Sequence, residues 1–300
     1  MPVAERDTLS PRFAFGRNWS RFLRTVTEAR IAAATNSLIR AFGHDGLAGK
    51  RFLDIGCGSG LFSLAAHRLG ATVHSFDYDA DSVACAEELR HREAASTDRW
   101  RVERGSVLDA EYLAALGTFD VVYSWGVLHH TGEMWKAIDL AAGLVTPGGM
   151  LWIAIYNDQG VRSRVWHLIK RGYVSLPGWL QPAYVVVIGG SWAVQRAVLK
   201  VLRILTELVV GGKTAKPQAY VENRPAVEIG TTQRSRGMHL WYDLVDWIGG
   251  YPFEVAKPEE IVRTLRDRGF VLHDLTTCGG DLGCNEYWFV RRESDSDVGA

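Results

Sequence analysis

The fold of this 300-residue chain is decided by the stretch Arg51-Phe52-Leu53-Asp54-Ile55-Gly56-Cys57-Gly58-Ser59-Gly60-Leu61. Its apolar first half predicts a buried strand, and its alternate glycines predict a tight turn from which a helix begins near Leu61. Glycine has no Cβ, so the backbone of such a turn can closely approach a bound ligand. The stretch therefore predicts a nucleotide-like ligand and leaves open which one it is.

Four further apolar runs follow this stretch and alternate with segments long enough for helices. The runs are Thr72–Phe76, Trp100–Glu103, Phe119–Tyr123 and Met150–Ile155. Alternation of this kind predicts an α/β fold with a parallel sheet that helices cover on both faces. A helix and strand over Pro258–Thr276, a glycine-rich hairpin loop and a closing strand near Glu286–Arg291 complete the predicted sheet.

Composition and charge limit the classes of function. Lys plus Arg and Asp plus Glu both number 34, so the net charge is zero and we expect no nucleic acid partner. The four cysteines show no C-x-x-C pair and no histidine at metal-ligand spacing, which predicts neither a metal site nor a disulfide framework. The segment Met1–Asp7 lacks the apolar region of a signal peptide, so we expect a cytoplasmic protein.

Two acidic residues follow predicted strands at positions that suit contacts with a nucleoside. Asp77 comes about twenty residues after the glycine turn, where a carboxylate can accept hydrogen bonds from both ribose hydroxyls. The alternative is a helix cap, although Asp79 is also available for that role. Asp109 follows the third strand, beside Val107 and Leu108, and either contacts an adenine amine or caps the next helix.

The landmarks over residues 50–157 resemble, in their order, those of class I S-adenosylmethionine-dependent methyltransferases. Asp54 matches the acidic residue two positions before the first glycine of that family's first motif. The segment Phe119–His130 is similar to the family's fourth strand and following loop, and Pro147–Ile153 resembles the turn before its fifth strand. Within the family, quinone-biosynthesis O-methyltransferases are most similar. The resemblance implies a Rossmann-like, doubly wound, mostly parallel sheet with an antiparallel last strand, and S-adenosyl-L-methionine as cofactor.

The resemblance also implies which residues contact the cofactor. They are Asp54, Gly56, Cys57, Gly58, Gly60, Asp77, Tyr78, Val107, Leu108, Asp109, Ser124 and Trp125. Asn157, directly after the fifth strand, matches an asparagine of the quinone-biosynthesis enzymes. The chain departs from those enzymes at Gly126 and His129, where they tend to carry acidic residues, so we expect no catalytic metal.

Histidines in the loop after the fourth strand are the first catalytic candidates. Methyl transfer requires an acceptor atom held in line with the methyl group, and a hydroxyl acceptor benefits from a nearby general base. His130 and His129 occupy the loop that would face the cofactor, and the alternative is that either one packs beside the following helix. His239 and Tyr242 belong to a second polar cluster, which either binds substrate or decorates a helix.

Five segments are predicted along the chain. They are an N-terminal helical segment over 1–48, the cofactor-binding core over 49–157, a mostly helical substrate or lid insertion over 158–256, the end of the core sheet over 257–293 and a disordered tail over 294–300. Apolar residues over 183–210 are interrupted too often for a spanning helix, which needs about 20 residues. They predict a cap over a lipophilic substrate or membrane surface, or else packed helices or a homodimer face.

A basic cluster begins the insertion, with Arg162, Arg164, Lys170 and Arg171 interleaved with aromatic residues. The cluster predicts either a contact with phosphate groups or a solvated helix face.

The alternatives for the function of the whole chain come from different classes of protein. A nicotinamide oxidoreductase fits less well, because its fingerprint places the third glycine one residue later, at Leu61.

The sequence therefore predicts a methyltransferase that uses S-adenosylmethionine and acts on a small, aromatic or lipophilic acceptor. O-methylation is preferred over N- or C-methylation of a small molecule. A catalytically silent cofactor-binding partner protein is the remaining alternative, because it would carry the same glycine turn and the same acidic residues.

Overall fold

A computed structural model describes residues 26–93, 95–191, 240–279 and 283–293, together with Arg12, Phe13, Phe15, Gly16, Trp19 and Leu23. Within helix Leu240–Gly249, the side chains of residues 240–243 and of Asp246 lie outside the described set.

Seven strands form one sheet. They are β1 Arg51–Ile55, β2 Thr72–Asp77, β3 Trp100–Arg104, β4 Phe119–Trp125, β5 Val145–Tyr156, β6 Phe270–Thr276 and β7 Cys284–Arg291. The order across the sheet is β3-β2-β1-β4-β5-β7-β6. Strands β1 to β5 are parallel, whereas β7 is antiparallel to both β5 and β6. The predicted doubly wound, Rossmann-like sheet with an antiparallel last strand is confirmed.

Helices connect these strands. They are α1 Glu28–Phe42, α2 Leu61–Arg68, α3 Ala80–Arg92, α4 Ala110–Leu116, α5 Met134–Gly143, α6 Val161–Ser175, α7 over 181–191, α8 Leu240–Gly249 and α9 Pro258–Arg266. Several begin where the sequence supplies a suitable first residue. Asp79 and Asp109 accept hydrogen bonds from main-chain N–H groups of α3 and α4, and Pro258 occupies the first turn of α9.

The strand order reverses between β1 and β4. From β1 the chain builds outward to β2 and β3, and it then returns to the other side of β1 with β4. The connections on the two sides leave in opposite directions, so a crevice opens beyond the carboxyl ends of these two strands. The glycine turn after β1 and the histidine-containing loop after β4 both lie at this crevice.

The core has two layers, one on each face of the sheet. One layer packs α4, α5 and α9 on the strands through residues such as Leu113, Ile138 and Ile261. The other packs α1, α2 and α3 through residues such as Leu38 and Leu64. Burial of apolar side chains on both faces explains why the central strands carry continuous apolar runs.

One predicted strand boundary differs from the structure. Strand β5 begins at Val145 rather than Met150, because pairing with β4 starts at Phe119↔Val145 and resumes at Val121↔Met150. Residues 146–149 bulge between these pairs, with Gly148 at φ 72°. Helix α1 begins at Glu28, and Thr27 before it has extended backbone.

The insertion packs α6 against α8. Trp166 and Tyr173 of α6 are buried with Ile248 of α8 and with Val185 and Phe253. None of the helices in the described part of the chain is long and apolar enough to cross a membrane. Most of the 183–210 stretch predicted to contact a lipophilic surface lies outside the described residues, since these stop at Ser191 and resume at Leu240.

Candidate functional site

The glycine turn brings main-chain groups to the carboxyl end of β1. Gly56, Gly58 and Gly60 have φ values of 72°, 54° and 78°, in the left-handed region that favours glycine. A Cβ on Gly56 would lie 2.4 Å from Val127, and one on Gly60 would lie 2.9 Å from Ala86. Side chains at these positions would therefore collide with the loop after β4 and with α3.

The turn is hydrogen-bonded to the end of β2. The N–H groups of Gly56 and Cys57 both donate to the carbonyl oxygen of Phe76, at 2.8 and 3.1 Å. Cys57 is buried, and burial raises the pKa of its thiol well above the ordinary value. Its thiol is therefore protonated and packs as a small apolar group.

Asp77 lies between the glycine turn and α3. Its carboxylate accepts hydrogen bonds from the N–H of Gly58 at 3.0 Å and from the N–H of Asp79 at 2.9 Å. Burial raises the pKa of Asp77 to about 6, against the opposite effect of these two bonds. The cap of α3 is Asp79, which accepts from the N–H of Asp81 at 2.9 Å. Asp79, and not Asp77, therefore caps α3.

Asp54 lies behind the turn in a buried chain of hydrogen bonds. The indole N–H of Trp100 donates to Ser75 at 2.9 Å, Ser75 donates to Ser63 at 2.7 Å, and Ser63 donates to the Asp54 carboxylate. Burial raises the pKa of Asp54 to about 7, and the nearby Asp77 acts in the same direction. This series of hydrogen bonds holds α2 against β1 and β2. A direct contact between Asp54 and a cofactor stays a prediction.

The predicted adenine-binding segment follows β3. Val107 is buried and Leu108 is half-buried, whereas the exposed Asp109 accepts a hydrogen bond from the N–H of Tyr112 at 3.0 Å. Asp109 therefore caps α4, which is the alternative role stated above. Contacts of these residues with adenine stay predictions.

Tyr78, Ser124 and Trp125 occupy the same end of the sheet. The Tyr78 ring has the guanidinium groups of Arg12 and Arg104 at 5.6 Å from its centroid. Ser124 is fully buried and donates to the carbonyl oxygen of Ile55 at 3.1 Å, which joins β4 to β1. Trp125 is half-buried and packs on the core layer that includes α1 and α2.

His130 has a defined tautomer. Its Nδ1 lies 2.5 Å from the carbonyl oxygen of Pro252, and because a carbonyl only accepts, Nδ1 carries the proton and Nε2 carries the lone pair. Burial lowers the pKa of His130 to about 3, with a further contribution from the Lys170 charge. The centroid of its ring lies 4.9 Å from the ring centroid of Phe15 and 5.5 Å from that of Tyr156. His130 is therefore a neutral imidazole at physiological pH.

His129 differs from its neighbour. It is fully buried, and neither ring nitrogen has a hydrogen-bond partner among the described residues. Its ring lies 4.0 Å from that of Tyr156 and 4.5 Å from that of His130. Burial holds its pKa well below the ordinary value, helped by His130 and Lys170. This environment is that of a packed aromatic ring, the alternative stated for one of the two histidines.

Lys170 departs from the predicted basic cluster, whose Arg162, Arg164 and Arg171 are exposed as in the solvated-face alternative. Its side chain is fully buried, and its ammonium donates to the carbonyl oxygen of Trp247. The ammonium lies 5.0 Å from the ring centroids of Trp247 and Phe253 and 5.9 Å from that of Tyr156. Aromatic faces attract a cation, so the pocket tolerates it. Lys170 lies four residues after the buried Trp166, so the two side chains share one face of α6. This spacing is the sequence feature that could have indicated the burial of Lys170.

An N-terminal segment that sequence reasoning left without a role covers both halves of the site. The N–H of Gly16 donates to the Asp79 carboxylate at 2.9 Å, and Trp19 lies 2.9 Å from a Cβ built on Gly58. Phe15 packs on His130 at the distance given above. The sequence feature that could have indicated this contact with the site is the cluster of aromatic residues in Phe13-Ala14-Phe15-Gly16-Arg17-Asn18-Trp19.

A cleft of about 280 Å³ opens beside the start of α6. It is lined by Asp158, Gly160, Ser163, Arg164, His167, Phe253 and Val255. His167 is held by a hydrogen bond of 3.1 Å to the carbonyl oxygen of Phe253. The Phe253 ring lies 5.2 Å from that of Tyr156, which contacts both His129 and His130. Phe253 therefore lines the cleft and also contacts the aromatic cluster that surrounds the two histidines.

Two predicted catalytic residues lie beyond what the structure describes. His239 falls outside the described residues, and Tyr242 belongs to α8 but its side chain is not described. Their roles stay predictions. Among the described residues, no group of three or more His, Cys, Asp or Glu side chains is arranged to hold a metal ion.

Comparisons with known proteins connect this arrangement to one family. Residues 53–151 match the model of a methyltransferase domain. The ubiquinone biosynthesis O-methyltransferase of Azorhizobium caulinodans is 30% identical over 178 residues, which cover 57% of this chain and 68% of that protein. The enzyme of the same name from Chelativorans is 32% identical over 174 residues, covering 52% and 66%.

The matches cover only part of each relative. The corresponding protein of Parvibaculum lavamentivorans is 33% identical over 131 residues, 43% of this chain and 48% of the relative. The chain thus spans about half to two thirds of the length of these curated relatives. An O-methyltransferase family protein from Burkholderia thailandensis has a similar structure, with a TM-score of 0.50 and 16% identity over 94% of this chain and 59% of that one. At this identity the likeness concerns the fold alone.

Proposed function

Because this chain belongs to the class I, Rossmann-like family of S-adenosylmethionine-dependent methyltransferases, we propose that it transfers a methyl group to a small, aromatic or lipophilic acceptor, preferably to a hydroxyl oxygen. The observation that carries this proposal is the hydrogen bond of 3.0 Å between the N–H of Gly58 and the Asp77 carboxylate. It joins the glycine turn and the predicted ribose-binding acid at the crevice beside β1. The names of the curated relatives support oxygen as the methylated atom.

The residues at this crevice fit S-adenosylmethionine. The glycines let the main chain turn tightly at the end of β1. Asp77 uses its two N–H contacts without exhausting the lone pairs of a carboxylate, about four in number. Ribose hydroxyls can therefore bind the remaining lone pairs. When bound, this cofactor supplies an electrophilic methyl carbon on a positively charged sulfur. The nearby carboxylates of Asp54 and Asp77 favour a cationic ligand.

His130 is the proposed proton acceptor. A base with a pKa of about 3 does not remove the proton of a hydroxyl before the reaction starts. The oxygen becomes far more acidic once it begins to bond to the methyl carbon, and the proton can then move to Nε2. The Pro252 carbonyl keeps Nδ1 protonated and so orients Nε2 as the acceptor atom. His129 is proposed to support this ring by packing.

Aromatic side chains around the histidines support an aromatic or lipophilic acceptor. Phe15, Tyr156 and Phe253 form walls next to His130 and His129 and would exclude water from the reacting atoms. The insertion over 158–256 supplies one of these walls, which supports its role as a substrate-binding lid on the core formed by 49–157 and 257–293.

Exposed apolar side chains in the insertion support contact with a lipophilic surface. Trp179 is 78% exposed, and Val186 and Val187 of α7 are 60% and 66% exposed. A membrane surface and a second copy of the chain both fit these side chains. Sedimentation with phospholipid vesicles and the molar mass in solution distinguish the two, because vesicle binding by a monomer excludes the homodimer.

Two measurements test the proposed function. Titration calorimetry with S-adenosylhomocysteine is expected to give saturable one-site binding, and a folded sample that does not bind would contradict the cofactor. Incubation of a lysate with methyl-labelled S-adenosylmethionine is then expected to give a labelled small molecule whose labelled bond identifies the acceptor atom. Normal cofactor binding without any labelled product would favour the catalytically silent partner protein.

A further inference from the structure

A short segment over residues 251–256 lies between α8 and α9, and we call it the strap. At its end, the N–H of Ala256 donates to the carbonyl oxygen of Tyr156 at 3.0 Å, and the Ala256 carbonyl accepts from the N–H of Asp158 at 3.1 Å. Near its start, the Pro252 carbonyl accepts the hydrogen bond from Nδ1 of His130. The strap therefore connects the end of β5 to the loop that carries His130.

Glu254 attaches the middle of the strap to the chain on both sides of His130. Its N–H donates to the carbonyl oxygen of His129 at 3.0 Å. Its two carboxylate oxygens both accept from the N–H of Met134, the first residue of α5, at 3.1 Å. His129 directly precedes His130, and Met134 follows it by four residues. One residue of the strap thus binds the main chain before and after the proposed proton acceptor.

The start of α5 suits a carboxylate from elsewhere in the chain. The first N–H groups of a helix have no partner within the helix and favour a negative charge. Within the described part of the chain, the side chain of Glu133, which directly precedes α5, caps none of them. Burial raises the pKa of the Glu254 carboxyl group, and the N–H bonds at the start of α5 act in the opposite direction. Among charged groups, Glu133 raises this pKa and His167 lowers it. Glu254 is therefore the cap of α5, from 120 residues away along the chain.

We propose that Glu254 is a positioning residue for methyl transfer, because it keeps the Pro252 carbonyl on Nδ1 of His130 and so keeps the lone pair on Nε2. This role of Glu254 rests on the proposed function, in which Nε2 of His130 receives the proton of the acceptor. Pro252 precedes Glu254 by two residues, so loss of the Glu254 contacts allows the Pro252 carbonyl to move away from His130. A neutral imidazole without a fixed partner carries its proton on either nitrogen. Only the molecules with the proton on Nδ1 could then accept a proton at Nε2.

The tautomer of His130 measures this role directly. In the full-length protein with nitrogen-labelled histidine, NMR at neutral pH distinguishes a protonated ring nitrogen from one that carries a lone pair. The signals of His130 are identified by their absence in His130→Gln. The wild type is expected to carry the proton on Nδ1. Glu254→Ala is expected to give a mixture of the two tautomers, because the strap then loses its side-chain contact with α5.

Two glutamine variants complete this experiment. Glu254→Gln keeps one acceptor oxygen for Met134, so a smaller change of the tautomer is expected, and this variant replaces Glu254→Ala if the latter does not fold. Glu133→Gln is the matched control, because it removes a negative charge next to α5 from an exposed side chain that pairs with Lys136 at 3.2 Å. It is expected to keep the wild-type tautomer. A wild-type tautomer in folded Glu254→Ala, or in Glu254→Gln where the alanine variant does not fold, would overturn the proposal.

Kinetics connect the tautomer to the reaction. With the acceptor that the labelling experiment identifies, Glu254→Ala is expected to lower kcat by up to about 10²-fold, while KM and the affinity for S-adenosylhomocysteine stay close to those of the wild type. A changed tautomer with a wild-type kcat in Glu254→Ala would overturn the role of Glu254 in methyl transfer. The tautomer requires neither cofactor nor acceptor, so it tests Glu254 even where no methyl transfer is detected. A wild-type kcat in His130→Gln would instead contradict the proposed function, because His130 would then not be the proton acceptor.

Discussion

Replacing Asp77 by asparagine is expected to weaken cofactor binding and, at the same time, to stabilise the ligand-free protein. The variant keeps the shape of the side chain and removes its charge. For the cofactor, the loss is that of hydrogen bonds between a charged carboxylate and hydroxyl groups, about 1–3 kcal/mol, so the affinity falls about 5-fold to 150-fold.

The expected gain in stability follows from the pKa of Asp77. The value is 3.8 for the ordinary group and about 6 in the folded protein, a difference of about 2 units. At about 1.4 kcal/mol per unit, the folded state is destabilised by roughly 3 kcal/mol when Asp77 is ionised. Because the folded pKa is raised, this destabilisation is complete above pH 6 and disappears as the pH falls towards 4.

An asparagine resembles the protonated carboxyl but leaves one main-chain N–H, that of Gly58 or Asp79, facing an amide nitrogen. That contact costs about 1–2 kcal/mol, so the net gain in the free energy of unfolding at pH 7 is about 1–2 kcal/mol. At pH 4 the gain is expected to vanish or change sign. Thermal unfolding at the two pH values and calorimetry with S-adenosylhomocysteine measure both effects.

Asp79→Asn is the matched control, because Asp79 caps α3 through Asp81 and is not predicted to bind ribose. It is expected to leave cofactor affinity within about 3-fold of the wild type. Unchanged cofactor affinity in D77N would remove Asp77 from the binding site. A loss of stability at pH 7 larger than at pH 4 would refute the role assigned to its burial.

Two further substitutions test the turn and the proton acceptor. Gly58→Ala is expected to lower the free energy of unfolding by about 1–3 kcal/mol and to weaken S-adenosylhomocysteine binding, because φ is 54° and the new Cβ would lie 2.9 Å from Trp19. Gly143→Ala is the control. A Cβ built on Gly143 has no atom of another group within 4 Å, so this substitution is expected to be neutral. His130→Gln, which retains a donor for Pro252, is expected to lower kcat about 10²-fold to 10⁴-fold with unchanged cofactor affinity. The wild type is expected to show no His130-dependent loss of activity between pH 5 and 8, since the pKa is about 3; an acid limb near pH 6.5 that disappears in H130Q would contradict this environment.

Much of the cofactor end of the site could be predicted because its signals are local. The spacing of Gly56, Gly58 and Gly60 specifies a left-handed turn whatever packs around it, since only glycine adopts three such φ values at low cost. Asp77 could be located because the end of β2 follows from the apolar run before it. The parallel sheet brings neighbouring carboxyl ends together, so these two local signals were enough to predict their meeting.

The acceptor end could not be predicted in the same way. Lys170 was assigned to the surface from its charge, yet α6 turns it towards α8 and three aromatic rings. Asp109 offered two roles, an adenine contact and a helix cap, and only the position of the Tyr112 N–H shows that it caps α4. His129 and His130 are adjacent in sequence, and only Pro252, about 120 residues away, gives one of them a fixed tautomer.

The sequence by itself determined the sheet, the glycine turn and the family, because strand periodicity and the backbone freedom of glycine act over a few residues. The tertiary structure alone decided which histidine carries an oriented lone pair, where Lys170 lies and that Phe15 and Trp19 cover the turn and the histidine loop. These features depend on contacts between segments distant in sequence. Burial and electrostatic environment are properties of the packed chain, and they set the protonation state of each candidate group.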